Sequence, residues 1–407
     1  MYDTVVVGAG PSGSTVAQHI AAEGFHVLLV EEHEQVGHPN HCAGLVTPRT
    51  LKIAELPSDG LIQNELQGAI IHSPSGRQVS IGGDRVHALA IDRPRLDAIL
   101  AEKAADSGAR LLLHTRASQF QRNGELIRVH LQNEHRPEAV DTRLLIGADG
   151  ARSGVAQWAG LPGPDEVVHA LNARVRLGPR SPRFVEVYLN RDLAPGWFGW
   201  VIPLGDGQAR LGIGTTQGSA VHCLKELVAA FPGRFEDLEV LDMSGGIIPL
   251  GLPHKIHANN VMLVGDAACQ VKPTSGGGVY TGLLAARSCA QAATRALLED
   301  DLSAESLGQY HAAWQDEMGG ELETGALLRK VFLGLHDGDF DILLHLLSKQ
   351  PLARLLARYG DIDHPSRLVT QLVRLLPMLR GLPAVAALIA DREDLAKDVF
   401  ALVSASR

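Results

Sequence analysis

The chain has 407 residues, 45% of them hydrophobic, enough for a large core and more than one domain. A formal net charge of −9 with no long acidic or basic block argues against a nucleic-acid surface as its main business. Its four cysteines, Cys42, Cys223, Cys269 and Cys289, stand far apart with neither C-x-x-C nor zinc-type spacing, so no metal site is expected and a reducing cytoplasm is.

The apolar run Val5–Val7 starts almost at once and meets a glycine, which leaves no room for the charged and apolar regions of a signal peptide. It predicts a short buried strand. Gly8-Ala9-Gly10-Pro11-Ser12-Gly13 follows, a G-x-G-x-x-G. The spacing then predicts a helix from about Ser14 to Glu23, ended by Gly24, and a second parallel strand over Val27–Val30 closed by Glu31. In such a unit Gly8 permits the tight turn, Gly10 lets a pyrophosphate approach the backbone, and Gly13 lets helix and strand pack closely. The helix N-terminus offers free N–H groups and partial positive charge to phosphates. Glu31 stands where a carboxylate accepts ribose hydroxyls. The unit predicts a dinucleotide site and by itself leaves NAD and FAD both open.

Further along, Val36–Val46 (VGHPNHCAGLV) is a loop carrying Cys42 and Ala43, and Ala90–Ala104 (AIDRPRLDAILAEKA) reads as a strand end and a helix led by Arg93. Leu144–Val155 is a buried strand ending in Gly147-Ala148-Asp149-Gly150. Strand patterns at GAIIHSPSGRQVSIGG and from about His169 to Thr216 predict an antiparallel sheet. Within it, Trp200 and Ile202 point to one face and Val201 to the other. Asn260–Cys269 is another buried strand, ending in Gly265-Asp266. Acids at several strand ends mark the carboxyl edge of a sheet, where ligands of open α/β folds bind. Gly276-Gly277-Gly278 then precede a helix predicted from about Val279. From about Leu302 the chain reads as helical. Between Lys349 and Ala390 it carries six Lys/Arg and two Asp. That balance suits either contact with an anionic membrane surface or a solvated helical face that covers the core. No apolar run reaches the ~18 residues of a spanning helix.

This combination resembles the FAD-binding fold of the para-hydroxybenzoate hydroxylase group. The segment Phe198-x-Trp200-x-Ile202-Pro203 followed by Gly212-x-Gly214 narrows the likeness, since it is similar to the geranylgeranyl reductase family's Y-x-W-x-F-P and G-x-G. Phe198 and Ile202 replace the family's Tyr and Phe, so the tyrosine hydroxyl is missing here. The cysteine loop, the GDAACQVKPTSGGGVYTGL segment and Gly360–Leu368 (GDIDHPSRL) resemble the same family, the last its archaeal-lipid, digeranylgeranylglycerophospholipid reductase-like members.

The resemblance implies an α/β fold (α+β overall): a Rossmann-like FAD domain over residues 1–60, 85–160 and 250–300, an antiparallel-sheet substrate domain over 61–84 and 161–249, and a helical region over 301–407. It implies FAD as cofactor, with Gly8, Gly10, Ser12, Gly13 and Glu31 on the ADP half, Asp149 and Gly150 near the pyrophosphate, and Asp266 on the ribityl chain. Gly277, Gly278 and Val279 would meet the flavin edge where negative charge collects on reduction. Cys42, Ala43, Arg93 and Ala117 would also lie along the FAD. Phe198, Trp200, Ile202 and Pro203 would contact substrate. Cys42 is the residue named for the proton path, with a bound water as equal contender. The implied activity is saturation of isolated double bonds in a geranylgeranyl chain of a lipid or another prenylated substrate, such as a chlorophyll or a quinone, using electrons from NAD(P)H or ferredoxin. The implied location is the cytoplasm, in peripheral contact with the inner face of the cell membrane.

Hydroxylases and halogenases of the same fold are the rivals, and a flavin-bound lipid carrier is the non-enzymatic alternative. Flavin-dependent halogenases carry W-x-W-x-I-P, which Trp200-x-Ile202-Pro203 overlaps. Here the first Trp is Phe198, and no lysine occurs between Leu61 and Leu100, where such enzymes would need one.

Overall fold

The computed structural model describes residues 1–133, 138–178, 181–379 and 392–405. It opens with β1 (Tyr2–Val7), α1 (Pro11–Ala22) and β2 (Val27–Val30). α1 begins at Pro11 rather than Ser14, because proline in the first turn forfeits no hydrogen bond and its fixed φ suits a helix. Next come β3 (Leu45–Val46), α2 (Pro48–Ala54), β4 (Ile62–Leu66), β5 (Gly68–His72), β6 (Gln78–Gly82), β7 (Ala88–Ile91) and α3 (Arg93–Asp106). Asp92 caps α3 by accepting from the Arg95 amide. β8 (Arg110–Leu112), β9 (Arg116–Asn123), β10 (Leu126–Gln132) and β11 (Glu138–Gly147) lead to α4 (Gly154–Ala159). The middle of the chain is β12 (Glu166–Arg176), β13 (Phe184–Tyr188), β14 (Gly199–Gly205), β15 (Gln208–Thr215), α5 (Ala220–Ala230), α6 (Pro232–Phe235) and β16 (Glu239–Leu250). β17 (His257–Ala258), β18 (Val261–Leu263) and α7 (Val279–Glu299) follow. The described remainder is helical: α8 (Ala304–Trp314), α9 (Gly320–Gly334), α10 (Asp337–Leu347), α11 (Gln350–Tyr359), α12 (Ser366–Leu379) and α13 (Glu393–Ala405).

The first sheet runs β17-β18-β11-β1-β2-β8, with β10 and β9 continuing antiparallel from β11. Its central pairs are parallel, and Val5, Val6, Leu28, Leu29, Leu145 and Ile146 are buried, as strands covered on both faces require. α1 packs against α3 and α7 over this sheet. Its carboxyl edge therefore gathers the ends of β1, β2, β11 and β18 side by side.

The second sheet has seven strands in the order β16-β12-β15-β14-β13-β5-β6. One pairing departs from the expected antiparallel pattern: β5 and β13 run parallel. They come from distant parts of the chain, so no tight turn forces opposite directions. β4 does not join this sheet. It pairs with β7 in a separate three-stranded sheet, β3-β7-β4.

The C-terminal helices pack along the second sheet and over α7. Asp341 of α10 accepts from the Ser73 and Ser75 hydroxyls of the β5–β6 turn. Of the basic residues counted in the stretch 349–390, Lys349, Arg354, Arg358 and Arg374 are exposed. Arg367 is paired with Asp361 at 3.3 Å, and Arg380 lies outside the described residues. Among the described residues no helix is long and apolar enough to cross a membrane.

Candidate functional site

A cleft of 1990 Å³ lies between the carboxyl edge of the first sheet and one face of the second. At one end the backbone shapes it. Gly8 has φ 99°, and a Cβ there would sit 2.4 Å from the Ala148 oxygen. A Cβ at Gly13 would sit 2.0 Å from the Gly8 oxygen, so Gly13 serves the strand–helix contact and does not itself line the cleft. At Gly10 a Cβ would meet no protein atom within 4 Å, because that space opens into the cleft. Ser12 lies beside it, its hydroxyl wedged where a side chain at Gly265 or Gly282 would intrude. The Glu31 carboxylate accepts from the Ala9 amide at 2.9 Å and the His33 amide at 3.1 Å, which fixes the glycine turn to the end of β2. Ala117 and Gly150 also line this end.

Two strand-end aspartates differ in what they do. Asp149 is engaged locally, accepting from the Ser153 hydroxyl at 2.6 Å and the Val155 amide at 3.1 Å, and so sets the start of α4 beneath the cleft. Asp266 is different. Among the described residues its carboxylate takes no hydrogen bond, although it lines the cleft. Burial pushes its acid up from the ordinary range, opposed by the charge of Arg93. Ser275 nearby carries a buried hydroxyl with no partner. Gly276, Gly277 and Gly278 line the cleft between them and lead into α7 at Val279, whose first-turn N–H groups face no capping side chain. An unpartnered, half-buried acid, an orphaned hydroxyl and a stretch of bare backbone describe a cradle for a polar ligand, and a ribityl-flavin fits that donor and acceptor set.

The cysteine loop closes over the middle of the cleft. The Cys42 sulfur accepts from the Gly44 amide at 3.3 Å, and the Arg93 guanidinium lies beside it. Arg93 also grips Asp97 with two hydrogen bonds of 3.0 and 3.1 Å. Burial alone would lower the Arg93 pKa, but Asp97 and Cys42 outweigh it and hold the charge firmly in place. Burial pushes the Cys269 thiol up to about 12 and raises Cys289 further, and neither lines the cleft. Cys42 is thus the thiol that reaches the cleft. The loop is pinned from the second sheet: Arg210 donates to the Ala43 carbonyl at 2.9 Å and the Ile91 carbonyl at 2.9 Å, and Asn172 donates to the His41 carbonyl at 3.2 Å.

At the far end the wall is side chain. Trp200 and Ile202 of β14 face the cleft, and Val201 joins the core behind the sheet. Phe198, just ahead of β14, lines the cleft and stacks on Trp197 with ring centroids 5.0 Å apart. Pro203 corrects the expectation for this segment. Strand alternation turns it to the Val201 side, so it does not line the cleft, and its carbonyl accepts from Asn64 at 3.0 Å. The two glycines of G-x-G acquire a physical meaning. Trp200 lies opposite Gly212 in the β14–β15 register, and a Cβ at Gly212 would come within 2.3 Å of the indole. A Cβ at Gly214 would come within 2.2 Å of Trp197. Trp200 in turn donates from Nε1 to Asn172 at 3.1 Å.

Four residues here escaped the sequence reading: Lys272, Asn172, Trp197 and Arg210. Lys272 lines the cleft against the glycine stretch, and its ammonium pairs with Asp363 at 2.6 Å. Trp197 was accessible in principle, since a second glycine placed two residues beyond Gly212 needs a second large partner on the neighbouring strand. Lys272 stands inside the GDAACQVKPTSGGGVYTGL segment, whose pattern does not record its pairing with Asp363, and Asn172 and Arg210 sit on ordinary-looking strands with no local signal.

The family description FAD binding domain matches residues 1–313. The digeranylgeranylglycerophospholipid reductase of Methanosarcina acetivorans is 31% identical over 366 residues, which cover 86% of this chain and 89% of that protein. The crystal structure of a geranylgeranyl bacteriochlorophyll reductase-like protein from Thermoplasma acidophilum has a TM-score of 0.84 at 23% identity, over 98% of this chain and 99% of that one. A flavin-dependent brominase shares the fold with a TM-score of 0.69 at 16% identity, over 93% of this chain and 99% of that one. The family match makes the chain an FAD-binding protein, and the cradle at the strand ends lies within the matched residues. The chain belongs to the digeranylgeranylglycerophospholipid reductase family of FAD-dependent oxidoreductases.

Proposed function

We propose that this protein saturates isolated C=C bonds in a geranylgeranyl chain carried by a lipid. The observation that supports this most is the continuity of the cleft. The FAD cradle passes without a break into an apolar wall of Leu171, Val185, Val187, Phe198, Trp200 and Ile202, with Cys42 at the junction. A chain with no polar groups is held there by shape and by exclusion of water. FAD, when bound and reduced, supplies the hydride. The protein must do the rest. An isolated alkene is a poor electrophile, so a proton has to reach one carbon as hydride reaches the other. Cys42 is placed to deliver it, and the neighbouring Arg93 would stabilise the sulfur left behind. Trp200, fixed by Asn172 and seated over Gly212, orients the chain across the junction. Half-buried Leu352, Leu355 and Leu356 beside exposed Arg354 and Arg358 on α11 support collection of the substrate from a membrane surface.

The test uses holoenzyme, chemically reduced under strict anaerobiosis, and a geranylgeranyl lipid. Mass spectrometry should find one H₂ added per double bond, with the flavin absorption returning in step. A hydroxylase or halogenase needs oxygen, so product formed only in air, oxygenated or halogenated, overturns the reading. Cys42→Ser should slow alkene reduction by about 10²-fold, the scale for losing a general acid, with FAD content unchanged. If turnover is unaffected, the proton comes from an ordered water instead.

A further inference from the structure

Lys272 sits on the segment between the Asp266 turn and Gly276, and the chain folds back on itself there. The Gly276 amide donates to the Lys272 carbonyl at 2.9 Å and the Lys272 amide to the Gly277 carbonyl at 3.3 Å. This return loop lays the lysine side chain along the glycine stretch. A Cβ built on Gly277 would meet Lys272 Cε at 3.0 Å and Nζ at 3.2 Å. The side chain is 9% exposed and lines the cleft.

A buried ammonium needs a counter-charge, and the chain supplies it from far away. Asp363, 0% exposed, accepts from Lys272 Nζ at 2.6 Å and from the Thr47 hydroxyl at 2.5 Å. Arg49 approaches the same carboxylate at 3.4 Å from its outer side and pairs with Asp361 at 2.7 Å. The segment is anchored further by Ser366, which donates to Glu321 at 2.6 Å. A loop of the C-terminal region thus reaches the first α-helical turn after the cysteine loop and the base of the glycine stretch at once. An ammonium has three N–H donors, and among the described residues Asp363 is the one acceptor engaged. The remaining donors belong to a cation that borders the cleft, beside the orphaned Ser275 hydroxyl. Arg93, the other cation at this part of the cleft, already spends two of its donors on Asp97.

We propose that Lys272 is a positioning charge that sets the redox poise of the bound FAD, held in place by Asp363 of the C-terminal segment. The inference rests on the reading that the flavin edge meets the glycine stretch, and not on which substrate is reduced. Flavin gains negative charge on reduction, so a fixed cation beside it favours the reduced form. In a site shielded from bulk water such a charge acts more strongly than on a surface. The ion pair restrains the ammonium without cancelling it, because Arg49 shares the Asp363 carboxylate from the other side.

The measurement is the reduction potential of protein-bound FAD, titrated spectroelectrochemically without substrate, for the wild type, Lys272→Met and Lys272→Arg. The Met variant should favour oxidised FAD by about tenfold or more, which for a two-electron couple is a shift of about 30 mV to more negative potential. The Arg variant should stay at the wild-type value. If the Met variant keeps the wild-type potential, or if Met and Arg are displaced alike, the proposal fails. Should Lys272→Met not retain FAD, Lys272→Gln, which keeps a donor for Asp363, is judged by the same rule. Because no substrate is present, failure here leaves the assignment of the alkene reaction standing, and failure of that assignment leaves this result readable.

Discussion

At the cofactor end of the cleft, shape comes from backbone. Gly8 turns at φ 99°, Gly10 leaves space open, and the stretch Gly276–Gly278 presents amides ahead of α7. At the other end, shape comes from side chains seated on a sheet. Trp197 and Trp200 occupy notches that Gly214 and Gly212 leave on the neighbouring strand, and Asn172 ties Trp200 to the cysteine loop. The glycines therefore do opposite work. At the first end they admit a ligand to the main chain; at the second they admit the protein's own aromatic rings. A substitution at the first end should strike cofactor affinity, and one at the second should strike folding and the fit of the substrate.

The sharpest way to break that contrast is Gly212→Val. Its Cβ would start 2.3 Å from the Trp200 indole, with backbone strands on either side that cannot move apart. Overpacking of this kind should cost about 3 kcal/mol or more, read as a lowered Tm. An unchanged Tm would mean that the wall is not set by this pair. The same sheet holds a second device behind the wall. Glu186 accepts from Tyr188 at 2.6 Å and from Arg234 at 2.7 Å, all three buried. Burial by itself would raise the Glu186 pKa, but His72, Arg234 and Tyr188 together bring it down to about 2 from 4.5. A depressed folded-state value stabilises fully above pH 4.5 and is lost as pH falls towards 2, a loss of about 3 kcal/mol in all. Acid titration of Glu186→Gln should lose that portion of the wild-type pH dependence. If both proteins show the same acid slope, the cluster is not what stiffens the wall.

Asp266→Ala probes the cofactor end. Losing a charged acceptor should weaken FAD binding by about 1–3 kcal/mol, roughly five- to 150-fold in Kd. The apo protein should at the same time become no less stable, since an unpartnered, half-buried carboxylate is removed. Equal destabilisation of apo and holo forms would show that Asp266 serves the fold rather than the ligand. The smallest effect is expected from Trp200→Phe. It keeps most of the ring but drops the bond to Asn172, which should cost about 1 kcal/mol and raise KM more than it changes FAD affinity. A fall in FAD affinity instead would erase the distinction between the two ends.

The cofactor end was readable because its requirements are local. Gly8, Gly10, Gly13 and Glu31 fall within one strand–turn–helix–strand unit, and Asp149 and Asp266 each end a strand whose burial is plain from its apolar run. The helix after Gly278 begins at Val279, as its pattern indicates. The substrate-side segment was readable as a motif but not as an arrangement. Phe198, Trp200 and Ile202 line the cleft, whereas Pro203 turns away, and only alternation along β14 separates them.

By itself the sequence determined where the chain would turn tightly, which strands would be buried on both faces, and which acids and glycines would stand at their ends. These follow from steric limits on φ and from the period of apolar residues, and both act within a few neighbours. The tertiary structure alone decided that Gly212 would lie under Trp200, that Arg210 would pin the Ala43 carbonyl, that β5 would run parallel to β13, and that Asp363 would hold Lys272. Each of these joins residues separated by another element. Their partners are chosen by strand register and by the need of a buried charge or a buried ring for one particular neighbour, and no local pattern records that choice.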